Sequence, residues 1–246
     1  MGFTYSKETY KKILLLSKSM KYQAIRFRDI DVNQNSDKLL LIRHDIDVSL
    51  KYAMDMARLE SENSVQSTYF VMLRSPAYNL FSRDAFKRLR EIQEFGHEIG
   101  LHFDAAHPYV VNKDLAECVQ KEKDILSDLV QAEIGSLSFH QPSREVLEND
   151  IFLDGLINTY NNRQMLGWYY LSDSNRVWKE HDGFSVFEAE KYDQIQMLIH
   201  PIWWMCELPN IIDVWNEAIA TNFDGMQEQF LATERAYGPK RKFTIS

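Results

Sequence analysis

The sequence predicts an α/β fold of mainly parallel strands, of a length that suits an α/β barrel, as one unit over residues 1–246. Two observations carry that prediction. Short apolar runs of strand length alternate at least four times with amphipathic stretches of helix length, the pattern of βαβ units. No Pro/Gly linker, repeat or low-complexity segment divides the 246 residues, a length that fits the about 200 to 250 residues of a one-domain barrel. With 45% hydrophobic and 13% aromatic residues there is apolar surface for one large core.

In order, a helix is expected over 6–20. Lys38-Leu39-Leu40-Leu41-Ile42-Arg43 follows as a continuous apolar run, suited to a strand covered on both faces. Ser49 is placed to cap a helix over 49–63, where Leu50, Ala53, Met54, Ala57 and Leu59 approximate a 3.6-residue period. The alternation continues with a strand over 67–73, a helix over 83–95 closed by Gly96, and a strand over 97–103. A helix over 113–131 and a strand over 136–139 complete it. Residues 158–190 read as irregular strands and loops, 194–199 as a final strand and 211–236 as mostly helical.

The formal net charge of −8 repels phosphate backbones and gives no support to a nucleic-acid partner. Cys118 and Cys206 are too few for a disulfide framework and too far apart for a Cys-x-x-Cys metal pair. Lys7, Glu8, Lys11 and Lys12 precede an apolar run, Ile13 to Leu16, too short for a signal sequence or a membrane span. The expectation is a cytoplasmic protein without stable membrane insertion.

Four histidines, His44, His102, His140 and His200, sit at or just beyond the C-terminal end of an expected strand, as do Asp45 and Asp47. In parallel α/β folds those ends converge on one face, so residues distant in sequence meet there. The two acids of Arg43-His44-Asp45-Ile46-Asp47 are enough for one metal ligand and one general base, although an isolated Asp-x-Asp also reads as a helix cap. His102 and His107 could bind one divalent ion with a carboxylate as third ligand. Five residues separate them by about 140° on a regular helix, so the pairing needs irregular backbone, which Ala105-Ala106 before Pro108 permits. His97 opens its strand on the opposite rim and reads as structural. Ser138-Phe139-His140-Gln141-Pro142 and His200-Pro201-Ile202-Trp203-Trp204 end two further strands. A histidine there can serve as a general acid, and Trp203 and Trp204 can wall a sugar.

These segments, in this order over 38–204, resemble the polysaccharide deacetylase family, metal-dependent carbohydrate esterases with a distorted barrel of parallel strands. Arg43-His44-Asp45-Ile46-Asp47 stands in place of its Thr-Phe-Asp-Asp motif, with one residue inserted between the acids. Gly96-His97-Glu98-Ile99-Gly100-Leu101-His102 follows its Gly-His-Glu-Ile-Gly-Asn-His motif, with His107 displaced by one. Phe139-His140-Gln141-Pro142 matches Phe-Arg-x-Pro with His140 in the arginine's place, and Leu198-Ile199-His200 matches Leu-Leu-His.

The resemblance implies Asp45 as base, His200 as acid, and a divalent ion, Zn²⁺, held by Asp47, His102 and His107. Asp104 and His140 stand as alternatives for the third ligand. Arg43, His44, Asp104, His140, Trp203 and Trp204 become supporting or substrate-binding residues, and His140 is expected to hydrogen-bond Asp45. The implied activity is removal of an N-acyl group, acetyl first, from an amino sugar of bacterial surface polysaccharide or O-antigen. An N-deformylase or other amide hydrolase on a nucleotide- or lipid-linked sugar, and a non-catalytic sugar-binding protein on the same fold, stay open.

Overall fold

A computed structural model describes residues 3–30 and 38–237. The chain order begins α1 Lys7–Ser19, β1 Gln23–Ile25, β2 Leu39–Ile46, α2 Leu50–Glu62, β3 Thr68–Val71, α3 Arg83–Glu94, β4 Glu98–Phe103 and α4 Leu115–Val130. It continues β5 Ser136–Phe139, α5 Arg144–Glu148, β6 Ile157–Asn158, β7 Tyr169–Ser172, α6 Ser185–Glu188, β8 Gln194–Ile199, α7 Pro201–Met205 and α8 Ile211–Thr233. Four of the longer helices start as capping chemistry dictates. Ser6, Ser49, Ser82 and Asp114 each accept a hydrogen bond from the backbone N–H three residues on, satisfying a donor that the first turn would leave unpaired.

All strand pairs are parallel, in the order β6-β5-β4-β3-β2-β8-β7, with β1 added beside the start of β2. The path is a curled half-barrel, with β6 and β7 at its edges. β2 shows why its sequence reads as an unbroken apolar run: both faces are buried. Leu39 and Leu41 pack with Phe27 and Phe70 inside the curl. Leu40 and Ile42 pack outside against α1, α2 and α7. The strand runs on through Asp45 to Ile46, three residues beyond the expected end.

At one point the interior has room for backbone only. A Cβ on Gly100 of β4 would lie 2.6 Å from the Phe70 ring and 2.7 Å from Ser136 Oγ. The glycine therefore lets Phe70 fill the space below the strand ends. β1, β6 and β7 and the short helices α5, α6 and α7 go beyond the sequence reading. Among the described residues, no helix is long and apolar enough to cross a membrane.

Candidate active site

Strand pleating lines up the chemistry. Residues two apart share a face, so Arg43, Asp45 and Asp47 point into the curl from β2 and the residue just past it, while His44 points out. His102 on β4 is the register partner of Ser138 on β5, and the ladder runs one bond further, from His140 N–H to Phe103 O at 2.8 Å. Arg43 faces Leu198 across the β2–β8 pair, which brings His200 to the same rim. Asp45, Asp47, His102, His140 and His200 all line one cleft of about 1610 Å³ at the C-terminal ends of the strands.

Asp45 is anchored by its own strand. Arg43 Nε donates to Asp45 Oδ1 at 2.8 Å and Nη2 to Oδ2 at 2.7 Å, a bidentate pair with both side chains buried. Arg43 Nη2 also reaches Ser138 Oγ at 2.6 Å and Tyr160 Oη at 2.8 Å. Burial alone would push the Asp45 carboxyl up, but the guanidinium, with His102, holds it below the usual carboxylate range. The expectation that His140 hydrogen-bonds Asp45 is corrected here: the side chain paired with Asp45 is Arg43, and His140 turns to Asp47.

Asp47, His102 and His140 offer one oxygen and two nitrogens within 4.8 Å of one another. His102 Nε2 lies 3.2 Å and His140 Nδ1 3.0 Å from Asp47 Oδ1. His102 Nδ1 is 3.0 Å from Ser138 Oγ, and that hydroxyl donates a hydrogen bond to Asp45 at 3.3 Å. A proton on Nδ1 then leaves the Nε2 lone pair facing a carboxylate, an arrangement that a shared cation relieves. Two imidazoles and one carboxylate make a fitting donor set for a catalytic divalent ion such as zinc, with a position left open toward the cleft. Without a cation, rings protonated toward Asp47 would instead donate to it, and against the effect of burial those hydrogen bonds hold its carboxyl far below the ordinary value. His140 is raised, first by its bond to Asp47.

His200 is buttressed from behind. Its Nδ1 lies 2.6 Å from Asp173 Oδ1, and its backbone N–H donates to the same carboxylate at 3.1 Å. Trp204 Nε1 donates to Asp173 Oδ2 at 2.7 Å. Burial would lower the His200 pKa, but Asp173, with Asp47 and Asp45 further off, raises it to about 9. With Nδ1 committed, Nε2 faces the cleft, 3.9 Å from Asp47 Oδ2.

Other predicted residues fall elsewhere. His107 stands outside the cluster: its Nδ1 accepts from the Tyr109 backbone N–H at 3.1 Å, because the chain turns on itself after β4. Asp104 caps that turn, accepting from Ala106 N–H at 3.0 Å. Neither lines the cleft. His44 is buried on the outer face, its Nε2 2.8 Å from Glu60 Oε1 and its Nδ1 3.2 Å from Ile199 O, so it supports the fold without reaching substrate. Arg43, fully buried, acts through Asp45. Trp204 is core and Trp203 lines the cleft.

Sequence reasoning missed Asp173, Ser138, Tyr160 and Glu60. Ser138 was readable, since it lies two residues before His140 on the same strand face. Asp173 follows a strand of only four residues in an aromatic-rich stretch and carries no such signal.

No protein-family profile matches the chain, and no curated protein does. Solved structures do. The catalytic domain of peptidoglycan N-acetylglucosamine deacetylase from Eubacterium rectale is 15% identical over 80% of this chain and 89% of that one, with a TM-score of 0.50. A CE4 family pseudoenzyme from Bacillus anthracis is 16% identical over 79% of this chain, which spans 62% of that protein, with a TM-score of 0.45. The chitin deacetylase of Colletotrichum lindemuthianum is 13% identical over 76% of this chain and 84% of that one, with a TM-score of 0.46. At such identities the likeness speaks for architecture, and the chain has the curled parallel-strand fold of the polysaccharide deacetylases.

Proposed function

We propose that the protein is a metal-dependent hydrolase that removes an N-acyl group, acetyl in the first instance, from an amino sugar during surface polysaccharide or O-antigen assembly. One observation carries the reading. An arginine-anchored carboxylate, an Asp-His-His cluster and an aspartate-backed histidine converge in one cleft from β2, β4, β5 and β8. The likeness of fold to deacetylases supports the substrate class.

Asp47, His102 and His140 would hold the ion, which when bound supplies Lewis acidity at the amide carbonyl and a more acidic water. Asp45, ionised and fixed by Arg43 and Ser138, accepts the proton of the attacking water. His200 keeps a proton near neutrality because Asp173 stabilises its charged form, and its Nε2 donates to the departing amine. Ser138 ties the two halves, since its hydroxyl touches both the base and the ring of a ligand. The products are a free amino sugar and a carboxylic acid.

Elemental analysis of the purified chain is the direct test. Near-stoichiometric transition metal, lost in Asp47→Ala, His102→Ala and His140→Ala and kept in His107→Ala, is the expected result. Metal lost in His107→Ala but kept in His140→Ala would overturn the ligand set, and no metal after reconstitution would overturn the mechanism. Acetate against formate release from N-acyl amino sugars then distinguishes the deacetylase from the deformylase.

A further inference from the structure

The cleft is larger than one acylated sugar ring calls for. Its volume of about 1610 Å³ exceeds the ~300–1,000 Å³ common for small-molecule sites, and α8 supplies a large part of its lining. Of the 23 residues of that helix only Val214 and Ala218 are buried. Ile212, Trp215, Ile219, Met226 and Phe230 are exposed at spacings of three, four or seven, which puts them on one side of the helix. All but Ile212 line the cleft, as does Phe223. Leu50 and Phe81, the latter 69% exposed, line the same cleft, together with the charged Lys51, Arg83, Asp84 and Arg88.

This apolar track begins at the chemistry. The His200 and Trp203 rings are 6.4 Å apart and the Trp203 and Trp215 rings 5.9 Å, so packed rings connect the acid to α8, with Trp203 itself largely buried. Asn222 pins the helix to the barrel by donating to Val48 O at 2.7 Å and Ala77 O at 3.2 Å, which uses up both amide hydrogens. Further sugar rings would need a hydrogen-bond partner for each hydroxyl they bury. The α8 lining is led by aliphatic and aromatic carbon, with Asp224, Glu228 and Gln229 among it and the Asn222 amide already engaged.

We infer that the groove along α8 binds a hydrocarbon chain attached to the sugar, so that the substrate is an N-acyl amino sugar on a lipid carrier. The inference rests on the proposed hydrolase reading in one respect. His200 protonates the amine, so a groove that starts at His200 lies on the sugar side of the scissile bond, not the acyl side.

Calorimetry of the full chain with methyl, butyl, hexyl and octyl glycosides of an N-acetyl amino sugar, kept below micelle formation, tests it without needing turnover. Kd is expected to fall about twofold per methylene, short of the ~fourfold of complete burial. Ile219→Asp and Phe230→Asp, at exposed positions where folding tolerates charge, are each expected to flatten that slope, with circular dichroism confirming the fold. A slope that persists in the His102→Ala variant supports the groove even if no hydrolysis is found, and a flat series overturns it even in an active enzyme. Two other results overturn it. One is stronger chain dependence in N-octanoyl methyl glycosides. The other is a dimer in sedimentation that Ile219→Asp dissociates, with no dependence on chain length.

Discussion

Asp45 owes its proton affinity to a neighbour two residues back on its own strand. Replacing Arg43 by Met removes the charge that holds the carboxyl down and leaves burial unopposed, so the acid limb of the kcat/KM profile should move to higher pH. An unmoved limb would show that Asp45 is not the base. His200 obeys the opposite sign. It acts when protonated, so activity should fall as pH rises through about 9, and Asp173→Asn should draw that limb down toward the ~6.5 of a free imidazole. The same profile recorded in both variants checks the two assignments independently. Asp45, Asp47, His102 and His200 could be picked out from sequence because each sits where an apolar run ends, and strand ends converge whatever the details of packing. The choice between His107 and His140 could not be made that way. It turns on a loop in which His107 accepts a backbone hydrogen bond, a local event with no periodic signature. The Arg43–Asp45 pairing was within reach, since i and i+2 on a strand share a face.

Elements are joined behind the site by a buried acid. Glu60 on α2 accepts from Tyr10 of α1, His44 of β2, Ser67 at the start of β3 and Tyr69 of β3, which engages both oxygens twice. Burial would raise its pKa, but His44 brings it down to about 2. A depressed carboxylate stabilises the fold above its unfolded value of ~4.3 and loses that contribution as pH falls through its folded value. Acid unfolding should therefore steepen between about pH 4 and 2. Glu60→Gln should cost about 3–5 kcal/mol in urea denaturation at neutral pH and flatten the acid dependence. A loss under 1 kcal/mol would show the pair to be dispensable. Gly100→Ala should cost about 1–3 kcal/mol in the same assay, because Phe70 and Ser136 leave no space for a methyl group. Longer strands and capped helices were legible because period and cap are local. β6, of two residues, and β7, of four, owe their pairing to the curl of the whole sheet, so the sequence announces irregular strands in 158–190 without their bounds.

At the scale of the molecule, the strand arrangement is shared with a solved structure that is 15% identical in sequence. The interior polar residues Arg43, Asp45, His102, Ser138 and His200 are distributed over four strands, and only their shared rim unites them. That distribution also makes the two halves of the site unequal in rigidity. In this chain the base and its counter-ion both belong to β2, which hydrogen-bonds to β1, β3 and β8 and so lies deep in the sheet. His140 instead follows β5, whose outer neighbour is the two-residue edge strand β6. Breathing of that edge would loosen one imidazole while leaving the carboxylate's angle to its guanidinium fixed by the pleat of a single strand. Amide exchange should then be slowest along β2 and fastest around β6, and the base is insulated from the fluctuations through which ion and product come and go.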